Sequence, residues 1–255
     1  MASVKDIYTR LDELYPRSYS CEWDNDGLMV CADPSREVKK ALITLDVTKA
    51  AAEYASENGV DLIISHHPLI FRRLCAMSPE EPRSSLPIAI LSRGISVISL
   101  HTRFDAGENG MNDTLAELLG LEVIGKFGTE NEMCGRLCKT DTTLTSLCNK
   151  VKNVLDAPNL SVGMGNKTCR TVAVVGGGGG SFVKAAVAQG IDAFITGECG
   201  YNDMIEAADA GLSVIAAGHY HTEYPPFVKK LQTLVAENFP AVETLVMTAE
   251  TLGYM

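Results

Sequence analysis

The sequence predicts an α/β protein built from two similar lobes. Three observations predict it: a βαβ pattern that occurs twice, short β-branched strands that end abruptly, and five histidines that all follow such strands. In the first copy, Ala41 to Leu45 reads as a strand, Thr48 to Glu57 as a helix, and Leu62 to Ser65 as a second strand after the turn Gly59-Val60-Asp61. Thr171 to Val175, Phe182 to Gln189, Gly190-Ile191-Asp192 and Ala193 to Thr196 repeat this order, the turn and the strand after it at an offset of 131 residues. The next strand, Gly94-Ile95-Ser96-Val97-Ile98, matches Gly211-Leu212-Ser213-Val214-Ile215 at an offset of 117. The difference falls in Met77 to Pro87, where Pro79, Pro82 and Pro87 predict a surface loop. The lobes are expected over 1–125 and 126–225, with the segment of about 226–255, including a strand near Thr244 to Thr248, a candidate to return to the first lobe.

The remaining elements follow from local chemistry. Ser3 caps a helix to Leu14 with Asp6 at its third position and Ile7, Leu11 and Leu14 on one face. Asp24-Asn25-Asp26-Gly27 reads as a turn beside Trp23, and an acidic turn next to the single tryptophan could wall a pocket. Met111 to Leu119 is a predicted helix stopped by Gly120. Cys134 to Cys138 is a candidate strand, Thr142 to Leu155 a helix with Thr143, Leu144, Leu147, Val151 and Val154 as its apolar stripe, and Asn153 to Asn166 irregular.

Composition narrows the function. A chain of 255 residues that is 46% hydrophobic can bury one large or two small cores. Its net charge of −10 and the lack of a Lys/Arg-rich run argue against nucleic-acid binding through a basic face. No stretch is long and apolar enough to span a membrane, and Met1-Ala2-Ser3-Val4-Lys5-Asp6 is too polar for a signal peptide, so a cytoplasmic location is expected. The eight cysteines lack C-x-x-C spacing and are expected to be reduced thiols; Cys134 and Cys138, four apart, are only a weak metal signal.

The histidines carry the chemistry. His66 and His67 end the run Asp61 to Ser65, His101 closes Ile95 to Leu100, and His219 and His221 follow Leu212 to Gly218. Ligands in α/β sheets bind at the carboxyl ends of strands. Asp105 lies four residues after His101, and Glu223 four after His219. This nitrogen and oxygen donor set suits zinc, manganese or iron and exceeds the needs of one tetrahedral ion. Adjacent residues of an extended strand point apart, so His66 and His67 are expected to serve two neighbouring ions with a carboxylate bridging. Two lobes facing each other would place this metal site in the cleft between them. Gly176 to Gly180 with Ser181 could cradle a phosphate or form a close-packed turn, and Arg72, Arg73 and Arg103 are further phosphate candidates.

Glu22-Trp23-Asp24-Asn25 with Gly27-Leu28, Ser65-His66-His67-Pro68, the stretch from His101 to Asp105, Thr196-Gly197-Glu198 and Gly218-His219-Tyr220-His221-Thr222-Glu223 resemble the Nif-three-like dinuclear metal centre family, whose members are often labelled GTP cyclohydrolase I type 2 homologues. The resemblance covers nearly the whole chain. It implies a two-lobed subunit, a toroidal homohexamer and two divalent transition-metal ions per subunit. Carried over by position, His67 and Asp105 would hold one ion, His66 and His219 the other, and Glu223 would bridge them. His101 would serve beside the pair as a proton carrier. Two positions depart from the family: Asn202 stands where a histidine is common, and His221 stands where a small residue is usual and is a candidate extra ligand or acid-base group. The expected activity is metal-dependent hydrolysis of a nucleotide such as GTP or a related small molecule; the alternative is a non-catalytic hexameric metal-binding scaffold or regulator.

Overall fold

A computed structural model describes residues 2–248 of the chain. Its first half contains helix α1 (Val4–Leu14), strands β1 (Gly27–Val30) and β2 (Lys40–Thr44), helix α2 (Lys49–Glu57), strand β3 (Leu62–Ser65), helix α3 (Pro82–Ser92), strand β4 (Ser96–Ser99) and the short helix α4 (Thr102–Ala106). Helix α5 (Met111–Leu118), strands β5 (Glu122–Phe127) and β6 (Gly135–Thr143), helix α6 (Leu144–Val154), and strands β7 (Ser161–Gly163) and β8 (Thr168–Val175) follow. Helix α7 (Val183–Ala188), strand β9 (Ala193–Thr196), helix α8 (Tyr201–Asp209), strand β10 (Ser213–Ala216), helix α9 (His219–Asn238) and strand β11 (Glu243–Val246) complete the described chain.

These elements form two compact units. The first holds the described residues through Phe104 together with those from Val228 onward; the second runs from Asp105 to Phe227. The division therefore falls at Phe104/Asp105, whereas sequence spacing put it at 125. The reason is α5, whose Leu115 and Ala116 are buried in one core with Cys138 of β6 and Val172 of β8. Of the C-terminal segment expected at about 226–255, β11 pairs in parallel with β2, and residues 249–255 lie outside the described residues.

The first unit has a five-stranded sheet in the order β1-β4-β3-β2-β11. Strands β2, β3 and β4 run parallel, and β1 closes one edge antiparallel to β4. Leu42, Ile63 and Val97 share one row across this sheet and are buried with Ala52 and Ala55 of α2 and Ile90 of α3. α1 opens with a full capping box, Ser3 accepting the Asp6 N–H and Asp6 reaching back to the Ser3 N–H. The expected loop at Met77 to Pro87 instead enters α3 at Pro82. Proline is well accommodated in a first helical turn, where its missing N–H has no intrahelical partner to lose; Pro87 lies inside the helix.

The second unit has a six-stranded sheet in the order β5-β6-β8-β9-β10-β7. Its parallel centre, β8, β9 and β10, is covered on one face by Leu115 and Leu119 with Leu147 and Val151 of α6. On the other face, Phe182, Val183, Met204 and Ala207 pack on Ala173, Phe194 and Val214. Thr143, placed on the apolar stripe of α6, is instead its cap and accepts the Ser146 N–H, and Val154, placed on the same stripe, is exposed. The segment read as irregular contains β7, which pairs antiparallel with β10.

The repeat extends to matched hydrogen bonds. Gly59 and Gly190 both take φ of +66°, a conformation that L side chains rarely adopt. The next residues return N–H bonds to the preceding helix, Val60 to Ala55 and Ile191 to Ala186. In each copy the third strand is then started by a bond to the turn aspartate, Ser96 to the Asp61 carbonyl and Ser213 to the Asp192 carbonyl.

Candidate metal centre

In the first unit the sheet's carboxyl edge gathers three imidazoles. β3 ends at Ser65, β4 ends at Ser99, and one ring nitrogen each of His66, His67 and His101 lies within 4.8 Å of the others. The His66 and His67 rings, expected to point apart, have centroids 5.0 Å from each other. Alternation of side chains holds only inside a strand, and both histidines lie beyond the last paired residue of β3.

All three rings are oriented through Nδ1. His66 Nδ1 donates to the Leu100 carbonyl at 2.8 Å, His67 Nδ1 to Asp46 at 2.8 Å and His101 Nδ1 to Asp24 at 2.8 Å. Carbonyl and carboxylate oxygens can only accept, so the proton sits on Nδ1 and the lone pair of each neutral ring sits on Nε2. Histidines that bind metals are held this way, with the outer nitrogen bonded to a carbonyl or carboxylate that fixes tautomer and direction.

Asp24 and Asp46 were not singled out as orienting groups. Asp46 stands two residues past β2, at the same edge as the histidines, and the strand-end rule would have found it had it been applied to carboxylates. Asp24 has no local signal beyond the turn it was read as. Its buried carboxylate accepts from His101, from the Thr102 N–H and from the Thr102 hydroxyl. Burial alone would push its pKa up, but the His101 bond and charge, with Thr102, hold it down at about 2.

Arg103 is removed from the phosphate candidates. Its side chain is 0% exposed and pairs with Asp26 at 2.8 Å and Asp12 at 2.6 Å. Burial opposes the guanidinium charge, and Asp26 with Asp12 outweighs that by raising its pKa. Arg17 also bonds the Asp26 carboxylate.

In the second unit His219 is the first residue of α9 and Glu223 lies one turn on, so both share a helix face. His219 Nε2 is 3.1 Å from Glu223, and its Nδ1 is 3.1 Å from Glu198. A neutral imidazole carries one N–H, so one of these carboxylates faces a lone pair. A second proton on the ring, or a cation at that nitrogen, makes both contacts favourable.

His221 does not join them. It lies two residues from His219, on another side of the helix, and its Nδ1 is 3.3 Å from the Leu155 carbonyl. Asp105 stands near the end of α4 and is half-buried. It belongs to no histidine or acidic cluster of three among the described residues. Asn202 is exposed on α8.

The glycine-rich stretch is a close-packed turn. The N–H groups of Gly176, Gly177 and Gly179 are taken by Asn112, Thr222 and Thr196. A Cβ on Gly177 would meet Glu223 Oε1 at 2.0 Å and His219 Nε2 at 3.0 Å. The glycines thus let backbone lie against the two α9 side chains, and three of the N–H donors a phosphate would need are already used. Cys138 is buried, and burial with the field of Asp113 pushes its thiol up to about 12, far from a metal-binding thiolate.

Among the described residues no helix is long and apolar enough to cross a membrane. The chain is 30% identical over 233 residues to the GTP cyclohydrolase 1 type 2 homolog of Clostridium perfringens, covering 89% of this chain and 88% of that protein. The structure of Staphylococcus aureus protein SA1388 matches in fold with a TM-score of 0.87 at 24% identity, over 100% of this chain and 99% of that one. Reduced HcgD from Methanocaldococcus jannaschii matches with a TM-score of 0.84 at 28% identity, over 96% and 97%. The model of the Duf34/NIF3 (NGG1p interacting factor 3) family matches residues 2–252. With that match spanning almost every residue, on a fold shared with these structures, the chain belongs to the DUF34/NIF3 family.

Proposed function

We propose that this protein binds two divalent transition-metal ions, zinc, manganese or iron, through His66, His67, Asp105, His219 and Glu223, and hydrolyses a nucleotide or related small molecule. The observation that carries the reading is the common anchoring of His66, His67 and His101 through Nδ1, with one ring nitrogen of each within 4.8 Å of the others at one strand edge. The contacts of His219 with Glu198 and Glu223 add a ring that a cation would satisfy. The curated relative's name supports nucleotide chemistry.

Such ions, when bound, supply Lewis-acid charge and water activation. His101 takes and returns a proton at Nε2, with Asp24 holding the ring in the correct tautomer. In this reading His221 has no part in the proton transfer, because its ring is turned to the Leu155 carbonyl. The same proposal includes a homohexamer, from the family resemblance, and a cytoplasmic location, from the sequence. Sedimentation and cell fractionation test these two points.

The test of the activity is incubation of the metal-loaded protein with GTP and other nucleotides, followed by product analysis. The reading expects turnover that a chelator abolishes and that His101→Ala lowers. Metal-loaded protein that converts no nucleotide would replace it with the non-catalytic scaffold.

A further inference from the structure

Beside the histidines the first unit presents an aromatic surface that the proposed chemistry does not use. Trp23 and Phe71 are 54% and 46% exposed. Their rings meet edge to face at 6.1 Å, and each meets His101 in the same way, at 5.9 Å and 6.1 Å. The two come from distant segments, tied together by the Asn25 side-chain amide donating to the Ile70 carbonyl. Large aromatic rings held in water lose favourable burial, so two of them fixed around one imidazole need a reason.

Phe71 also lines an open groove of about 380 Å³, whose walls include Leu69, Leu86 and Pro87 and whose charged residues are Arg72 and Arg83. That volume lies in the ~300–1,000 Å³ range of small-molecule sites. Arg10, Arg17, Arg36, Arg103 and Arg136 each pair with a carboxylate. Arg72 and Arg83, like Arg73, Arg93 and Arg170, make no ion pair among the described residues, and they are the two of these that line the groove. Unpaired guanidinium groups beside an apolar wall match an anion attached to a flat, apolar body.

We propose that Trp23, Phe71 and the groove behind Phe71 form a subsite for a purine nucleotide, the base stacking on the exposed indole and the phosphate meeting Arg72 and Arg83. This rests on the hydrolase reading for its substrate class and extends it by naming the residues that would hold the ring and the anion. Stacking on an aromatic side chain accepts any flat base, and the arginines select for the charge.

Trp23 is the only tryptophan in the chain, so selectively excited tryptophan emission, free of the eight tyrosines, reports on this surface alone. The full-length protein as purified is titrated with GMP, guanosine and ribose 5-phosphate. The proposal expects GMP to change Trp23 emission and to bind more tightly than either fragment. By calorimetry, Trp23→Ala weakens GMP and guanosine by roughly tenfold, and Trp23→Phe restores most of the loss. Arg72→Ala with Arg83→Ala weakens GMP and ribose 5-phosphate and leaves guanosine unchanged. GMP binding that leaves Trp23 emission unchanged, or equal affinity in wild type and these variants, would overturn the subsite. Binding is read here without turnover. Nucleotide binding with no hydrolysis removes the hydrolase reading alone, and hydrolysis indifferent to Trp23 and Arg72 removes the subsite alone.

Discussion

Asp61 and Asp192, 131 residues apart, do the same work in the two units. Asp61 accepts the N–H groups of Lys39 and Lys40 at 2.9 and 3.2 Å. Asp192 accepts those of Arg170 and Thr171, both at 2.9 Å. Each carboxylate ties the turn after a helix to the strand before it, so the βαβ unit is closed by one side chain. Replacing either with alanine should lower stability by about 1–3 kcal/mol, since a charged acceptor for two backbone donors is lost. Urea unfolding measures this, and no change in either variant would reduce the pair to a coincidence of sequence.

The Asp192 bond carries a pH dependence with a definite sign. Burial pushes its pKa up, and the N–H groups of Thr171 and Arg170 outweigh that and leave it below the usual value. A carboxyl with a depressed folded pKa contributes stability that is fully present above its unfolded pKa of about 3.9 and is lost as pH falls through the folded value. The stability gap between wild type and Asp192→Asn should therefore narrow as pH drops below about 4. A gap that widens in acid contradicts the assignment.

Asp24 holds His101 through Nδ1, and Asp24→Asn replaces an obligate acceptor with an amide that can present its N–H₂ instead. Turnover should fall by roughly ten- to a hundredfold while metal content stays the same. Metal lost in parallel with activity would make Asp24 a support of the centre as a whole.

Asp26 neutralises the buried Arg103, so Asp26→Ala leaves a desolvated guanidinium with a weaker counter-charge. The expected loss is about 3–5 kcal/mol, visible as a drop in the urea midpoint. A near-neutral effect would mean that Asp12 suffices.

Much of the fold can be read locally, and the reasons are specific. The turns Gly59-Val60-Asp61 and Gly190-Ile191-Asp192 punctuate strands buried on both faces, and glycine at positive φ leaves a mark in the sequence. The histidines stand out because they are few and all follow strands. Asp24 and Arg103 were harder, since their partners, His101 and Asp26, are far away in the chain. The α3 helix was missed because Pro82 reads as a breaker without knowing that it occupies the first turn. His221 reads as an acid-base group or extra ligand because it is two residues from His219, and only the start of a helix at His219 turns it to another side.

Metal content tests the central claim most directly. The protein is purified without chelator or affinity metal and analysed for moles of each metal per chain, alongside His67→Ala and Glu223→Ala. The account predicts about two transition-metal ions in wild type, a loss mainly of one in His67→Ala and of both in Glu223→Ala. Wild-type protein that holds no metal and takes up neither zinc nor manganese on addition would contradict it.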